Sequence, residues 1–149
     1  MLKLAKTKSF RIRQTKIKDA IFLIKLFNIN VKKGNFFTKK QIPLNNHLYW
    51  LKNRLKEKNF YIIYDKENIG YIRLDNISKK KFLISIAIID KYRGRGIAKE
   101  AFFKAMKKSK LKNVQIIASI KRSNKQSICF FKRCGFKRNG NTNNYILEY

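Results

Sequence analysis

The chain has few cysteines, few acidic residues and no long apolar run. Its two cysteines, Cys129 and Cys134, have no histidine near them in sequence, so we expect no metal site. Such sparse cysteine use fits a reduced intracellular protein. The longest apolar stretch, residues 20–29, is interrupted by Lys25 and is too short to cross a membrane. The N-terminus lacks the apolar segment of a secretory signal, so we expect a cytoplasmic protein with no membrane partner.

Acidic residues are greatly outnumbered by basic ones. Eight Asp and Glu stand against 37 Lys and Arg, which gives a formal net charge of +29. This charge attracts anionic ligands, including nucleotides, and it admits nucleic acid as a partner. The lysines are spread along the chain, however, and the heavy use of Lys, Asn, Ile and Phe fits an AT-rich coding bias. We therefore favour a compositional origin, with nucleic-acid binding as the alternative.

The length and the hydrophobic content, 44% of 149 residues, suit one domain over residues 1–149. Hydrophobic periodicity predicts seven strands and four helices. Thr15 is the expected N-cap of the first helix, and residues 29–42 are expected to form a loop. The element order predicts an α/β (α+β) fold, with a mostly antiparallel, mixed sheet of 6–7 strands and helices on both faces. The predicted strands are 10–13, 60–64, 69–74, 82–89, 114–119, 136–138 and 145–149, and the predicted helices are 16–28, 44–58, 96–109 and 125–134.

A turn with two glycines joins the strongly apolar strand 82–89 to the helix that follows. Its sequence is Arg93-Gly94-Arg95-Gly96-Ile97-Ala98. The first N–H groups of a helix have no intrahelical partner and the helix dipole favours an anion there, so the turn predicts a phosphate site. It is not a Walker loop, because Gly-Lys-Ser/Thr is absent. It is not a dinucleotide fingerprint either, because Lys99 occupies the position of the third glycine.

Two motifs together resemble the GNAT family of N-acetyltransferases. The turn is similar to the family's Arg/Gln-x-x-Gly-x-Gly/Ala pattern. A second segment, at the expected distance, resembles Asn-x-x-Ala-Ile-x-Leu-Tyr-x-x-x-Gly-Phe; here it reads Asn124-x-x-Ser127-Ile128-x-Phe130-Phe131-x-x-x-Gly135-Phe136. The resemblance implies a GNAT-like single domain and acetyl-CoA as co-substrate. The cofactor-binding residues that it implies are Ile86, Ala87, Ile88, Arg93, Gly94, Arg95, Gly96, Ile97, Ala98, Lys99, Asn124 and Phe131. Core packing is the alternative role for Ile86, Ile88 and Phe131, and a helix N-cap role is compatible with cofactor contact at Asn124.

The implied reaction is direct attack of a neutral amine on the thioester in a ternary complex, but the usual catalytic side chains are missing. Phe131 stands where the family has a tyrosine acid, while Leu83 and Ser119 stand where carboxylates are common. A thiol with a pKa near 8.5 is a tolerable leaving group without an acid. The remaining candidates for a base are Asp75, Ser85, Ser119 and His47.

The acceptor side is similar to the N-acetyltransferases of pseudaminic and related nonulosonic acid pathways, which modify nucleotide-linked amino sugars. The similarity lies in Asn46-His47-Leu48-x-Trp50-Leu51 and in the segments 70–75 and 84–88. It implies His47, Trp50 and Arg73 as acceptor-binding residues. Packing on the sheet is the alternative role for Trp50. In that group an early helix usually ends in Trp-Arg-Asn. This chain has Leu26-Phe27-Asn28 there, so it differs at the first two positions.

Two other functions remain open. One is acetylation of a protein N-terminal amine, such as that of a ribosomal protein. The absence of a Glu at Ser119 and of a Tyr at Phe131 counts against this function. The other is a basic binding module that has lost catalysis and holds nucleic acid or a partner. In each case we expect a monomer or a homodimer.

Overall fold

Seven strands and four helices follow one another along residues 9–149, the part of the chain that the structure, a computed structural model, describes. None of these four helices is long and apolar enough to span a membrane. The strands are β1 (Arg11–Gln14), β2 (Phe60–Tyr64), β3 (Asn68–Ser78), β4 (Lys81–Ile88), β5 (Gln115–Ser119), β6 (Lys137–Arg138) and β7 (Asn144–Glu148). The helices are α1 (Ala20–Lys32), α2 (Leu44–Arg54), α3 (Ile97–Ser109) and α4 (Lys125–Arg133), with single 3₁₀ turns at Ile17–Asp19 and Asp90–Tyr92.

The strands form one sheet in the order β1-β2-β3-β4-β5-β7-β6. Every neighbouring pair is antiparallel except β4 and β5, which are parallel. Parallel neighbours need a long crossover connection, and α3 supplies it. The predicted fold class, a mixed and mostly antiparallel sheet, is therefore confirmed.

Helices cover both faces of this sheet, as predicted. Alternate residues of a strand point to opposite faces. In β2, Phe60 and Ile62 share a buried cluster with residues of α1 and α2, whereas Tyr61 shares a buried cluster with Phe102 and Met106 of α3. The two clusters place α1 and α2 on one face and α3 on the other.

The first two helices end elsewhere than predicted. α1 continues to Lys32, because Asn30 and Val31 are buried at 3% and 6% exposure. The polar character of the segment after residue 28 had indicated a loop. α2 ends earlier, at Arg54, because the next residues up to Lys58 are mostly exposed and offer little to bury.

The start of the first helical segment and the end of β3 also differ from the prediction. The buried Thr15 hydroxyl has no hydrogen-bond partner within residues 9–149. The carboxylate of Asp19 instead accepts the Lys16 N–H, at 2.8 Å. β3 continues past Leu74 to Ser78, because it pairs with the whole of β4, so Asp75 lies within a strand.

The pairing of β4 with β5 is short. It joins Lys81–Leu83 to Gln115–Ile117, and within residues 9–149 no strand pairs with this side of β4 beyond Leu83. The two parallel strands therefore diverge toward the carboxyl end of β4. The gap between them lies directly before the turn at Arg93 to Ala98.

Gly70 of β3 lies too close to β4 for any side chain. A Cβ there would stand 2.2 Å from the Ala87 carbonyl oxygen and 3.1 Å from the Ile88 Cα. Because backbone must move to make room, Gly70→Ala should lower the free energy of unfolding by about 1–3 kcal/mol. Urea denaturation measures the loss, with Asn76→Ala as an exposed control in the same strand. Equal stability of the two variants would contradict the prediction.

Candidate active site

A cleft of about 640 Å³ opens where β4 and β5 diverge, and we call it the β4–β5 cleft. Its walls come from the end of β4, the turn before α3, the first turns of α4 and the loop after α1. It brings together most of the residues that the sequence predicts for the cofactor. Those lining it are Ile86, Ala87, Ile88, Arg93, Gly94, Gly96, Ile97, Ala98, Lys99 and Asn124.

The backbone of β4 faces this cleft at every second residue. The Ile89 N–H donates to the Ile69 carbonyl of β3 at 2.9 Å. Because backbone groups alternate in direction along a strand, those of Ile88 and Ile86 point away from β3. The Ile88 carbonyl accepts the Arg93 Nε–H at 3.2 Å. The strand edge thus presents hydrogen-bonding groups to a ligand, and a preorganised N–H there can polarise a carbonyl.

The turn before α3 depends on its glycines for their conformation. Gly94 and Gly96 have φ values of 73° and 74°, in the left-handed region that favours glycine. A Cβ at either position would meet nothing within 4 Å, so both face open space. The first helical bond runs from Glu100 N–H to the Gly96 carbonyl. The earlier N–H groups of α3, at residues 97–99, are therefore available to an anion.

Two of the predicted cofactor contacts lie outside the cleft lining, and for Phe131 the alternative role in the core is the one observed. Phe131 is 5% exposed and lies in the core, 4.8 Å from Phe130 and 5.0 Å from Phe136 between ring centroids. Phe130 lines the cleft instead. Arg95 lies outside the cleft lining, with its guanidinium 5.5 Å from the ring centroid of Tyr92.

Asn124 caps α4 and also lines the β4–β5 cleft. Its side-chain oxygen accepts the Ser127 N–H at 3.2 Å, which confirms it as the N-cap of α4. Its Nδ2 donates to the Asn35 carbonyl at 3.4 Å, and the residue also lines the cleft.

Sequence reasoning missed the part of the cleft that comes from α1 and the loop after it. Asn30, Asn35 and Phe36 line the cleft. The available signal was the apolar spacing of Leu23, Ile24 and Val31, which continues the helical pattern past residue 28. Extending α1 on that pattern would have placed Asn30 on a buried face.

A second cavity, of about 450 Å³, lies on the sheet face covered by α1 and α2. We call it the aromatic pocket. Its lining contains no carboxylate; the lining residues are Leu23, Phe27, Ile42, Asn46, His47, Trp50, Phe60, Tyr71 and Arg73. Tyr71 pairs in register with Ala87, which lines the β4–β5 cleft, so lining residues of the two cavities are neighbours across β3 and β4. The three predicted acceptor residues are thus together in one pocket.

His47 contributes a buried nitrogen to the aromatic pocket. The residue is 6% exposed, and its Nε2 has no hydrogen-bond partner within the described chain. Burial lowers the pKa of His47, and the positive charge of Arg73 lowers it further. A hydrogen bond with the Ala20 backbone has the opposite effect on this pKa, smaller than that of burial. The imidazole is therefore neutral near pH 7, and Nε2 is free to bond a ligand.

Arg73 presents unused donors in the same pocket. Its guanidinium lies 4.9 Å from the ring centroid of Trp50, and its Nε donates to Asp75 at 2.9 Å. Its two terminal nitrogens make no hydrogen bond within residues 9–149. The Trp50 ring also stacks on His47, with centroids 5.6 Å apart. Part of the Trp50 surface is thus covered by neighbouring side chains, and 37% of the residue is exposed.

The candidate bases are placed very differently. Asp75 is held by the guanidinium groups of Arg54 and Arg73 and lines neither cavity. Ser119 is exposed on β5 and also lines neither cavity. Neither the carboxylate nor the hydroxyl therefore faces the two cavities directly, and both residues stay unsupported as base candidates. Ser85 also lines neither cavity, but its hydroxyl lies 3.1 Å from that of Tyr71, which lines the aromatic pocket. His47 lines that pocket directly and stays a candidate as well.

Comparison with known proteins assigns the chain to a family of enzymes. The model of the Acetyltransferase (GNAT) family matches residues 26–136, which is well over half of the chain. The chain belongs to the GNAT family of acetyltransferases. The resemblance drawn from the two motifs is therefore confirmed at the level of the family, as is its assignment as an enzyme.

The similar curated proteins are two N-alpha-acetyltransferases. That of Sulfurisphaera tokodaii is 28% identical, over 89% of this chain and 83% of its own length. That of Saccharolobus solfataricus is 26% identical, with the same coverage of both chains.

Solved structures show the same fold at low identity. An N-acetyltransferase from Staphylococcus aureus Mu50 superposes with a TM-score of 0.79 at 18% identity, over 94% of this chain and 98% of its own. The putative acetyltransferase yncA from Salmonella typhimurium, with its cofactor acetyl-CoA, gives 0.76 at 14% identity, over 94% of each chain. The ribosomal-protein-alanine N-acetyltransferase from Brucella melitensis gives 0.73 at 20% identity, over 87% of this chain and 86% of its own. These similarities confirm the GNAT-like fold.

Proposed function

We propose that this acetyltransferase uses acetyl-CoA to acetylate the amino group of a nucleotide-linked amino sugar. One observation carries the choice of acceptor: the aromatic pocket combines stacked rings with cationic and neutral donors and contains no carboxylate. An acceptor that bears phosphate and planar groups fits this lining. A cationic polyamine would find no acidic partner there.

The β4–β5 cleft supports acetyl-CoA as the donor. The backbone of Ile86 and the N–H of Ile88 are available to an extended amide chain, and the N-terminus of α3 to a pyrophosphate. Cations also line the cleft, and they suit an anionic co-substrate; these are Arg93, Lys99, Lys125 and Arg133. The bound thioester would supply an electrophilic carbonyl at the edge of β4.

The proposed reaction requires few catalytic side chains. The amine nitrogen forms a bond with the thioester carbon, the C–S bond breaks, and the thiolate leaves without an acid because its pKa lies near 8.5. A backbone N–H of β4, at Ile86 or Ile88, stabilises the developing oxyanion. The amine proton passes to solvent water, either directly or relayed through the hydroxyl pair of Ser85 on β4 and Tyr71 on β3, and the released thiolate equilibrates with solvent protons.

A second acceptor class has a specific observation in its favour. Both similar curated proteins are N-alpha-acetyltransferases, at 28% and 26% identity. A protein N-terminal amine is therefore the alternative acceptor. The two acceptors differ in charge, since only the sugar nucleotide carries phosphate.

Calorimetric titration with acetyl-CoA, followed by a thiol-release assay, tests the proposal. We expect binding, and thiol release with a nucleotide-linked 4-amino sugar. Thiol release only with free-amine peptides would replace the sugar by a protein N-terminus. Absence of acetyl-CoA binding, together with salt-dependent binding of duplex nucleic acid, would favour a basic binding module instead.

A further inference from the structure

The loop between α1 and α2, residues 33–43, forms part of both cavities. Asn35 and Phe36 line the β4–β5 cleft, whereas Ile42 lines the aromatic pocket. The rings of Phe36 and Phe27 lie 5.2 Å apart and connect the loop to the pocket wall. The position of this loop therefore affects both sites at once.

Asn30 holds the first part of the loop and the cofactor turn together. It is 3% exposed, although its side chain is polar. Its Oδ1 accepts from the Asn35 side chain at 2.9 Å and from the Arg93 Nη2 at 3.4 Å. Its Nδ2 donates to the Leu26 carbonyl at 2.9 Å, which fixes the orientation of the amide. Arg93 is thus held between this side chain and the Ile88 carbonyl of β4.

Asn28 holds the last part of the loop. Its Oδ1 accepts the Ile42 N–H at 3.0 Å, and its Nδ2 donates to the Ile42 carbonyl at 3.2 Å. Its amide thus pairs with the backbone as a neighbouring β-strand would. Ile42 immediately precedes Pro43, the N-cap of α2, so this contact sets where α2 begins. His47 and Trp50 follow within the first two turns of α2.

We propose that the two asparagines are positioning residues with separate tasks: Asn30 positions the turn for acetyl-CoA, and Asn28 positions the start of α2 for the acceptor. The inference rests on the proposed function of the two cavities. It follows from where each amide bonds. Asn30 reaches Arg93 but no residue of α2, whereas Asn28 bonds Ile42 but no residue of the cofactor turn.

Alanine variants of the two asparagines separate the tasks. Asn30→Ala should weaken acetyl-CoA binding about five- to tenfold and change the acceptor KM less than about twofold, because one or two hydrogen bonds are lost. Asn28→Ala should raise the acceptor KM about fivefold and leave acetyl-CoA affinity unchanged. Asn53→Ala, at an exposed asparagine of α2, is the control and should change neither constant. Equal changes in both constants, or no change in either variant, would overturn the inference.

A measurement on the protein without ligands tests the role of Asn28 independently of the proposed function. Amide hydrogen exchange should become faster at Ile42 in Asn28→Ala, because that N–H loses its acceptor. Exchange at Ile42 should be unaffected in Asn30→Ala. If wild-type protein fails to bind acetyl-CoA, the proposed function fails while the exchange result still stands. Unaltered exchange at Ile42 in Asn28→Ala would overturn the role of Asn28.

Discussion

Gly96→Glu should weaken acetyl-CoA binding about 100-fold or more, the largest effect that we expect from any single substitution. Gly96 is the N-cap of α3, and its φ of 74° costs a side chain about 1–2 kcal/mol of strain. A Cβ there meets nothing within 4 Å, so the new side chain enters the open space of the cleft. Its carboxylate would repel the pyrophosphate and compete for the N–H groups of the helix terminus. Calorimetric titration with acetyl-CoA measures the loss.

Gly140→Glu is the matched control for this substitution. Gly140 also has a positive φ, of 55°, and open space around its Cβ position, but it lies in the turn between β6 and β7. The variant introduces the same charge and comparable strain outside the cleft. We expect a similar loss of stability and unchanged affinity for acetyl-CoA. If both variants bind acetyl-CoA as tightly as wild type, the N-terminus of α3 is not the pyrophosphate site.

The half of the site around the turn was predictable because its signals are local. A strand, two glycines and a helix N-terminus follow one another within residues 82–99, and each element constrains the next. The left-handed φ at Gly94 and Gly96 is a property that glycine itself favours. The conformation of this segment could therefore be predicted from the residues within it.

The contacts missed by sequence reasoning join residues far apart in the chain. Asn30 and Arg93 are 63 positions apart, so no local pattern shows that one orients the other. Asp75 was named as a candidate base without its partner Arg54, which lies 21 positions earlier in the chain and on another element. On α4, Phe130 and Phe131 are both aromatic and adjacent. Which one faces the cleft depends on how the helix packs, and the sequence does not encode that locally.

Arg73→Gln should lower kcat/KM for a nucleotide-linked amino sugar about 30- to 100-fold. Arg73 lines the aromatic pocket, its terminal guanidinium nitrogens have no hydrogen-bond partner in the described chain, and a hydrogen bond to a charged group contributes about 1.5–3 kcal/mol. Asp75 keeps its contact with Arg54 in the variant, so the carboxylate is not left unpaired. Steady-state kinetics measures the loss, and acetyl-CoA affinity should be unchanged because Arg73 does not line the cleft.

The same substitution distinguishes the two acceptor classes by charge. A peptide amine carries no phosphate, so removing the Arg73 charge should cost such an acceptor little. For the sugar nucleotide, added salt should raise the wild-type KM by screening Arg73, and Arg73→Gln should reduce that dependence. Arg11→Gln, at an exposed arginine of β1, controls for the change in net charge. Equal losses with sugar and peptide would show that Arg73 maintains the shape of the pocket through Trp50 and Asp75 and does not recognise phosphate.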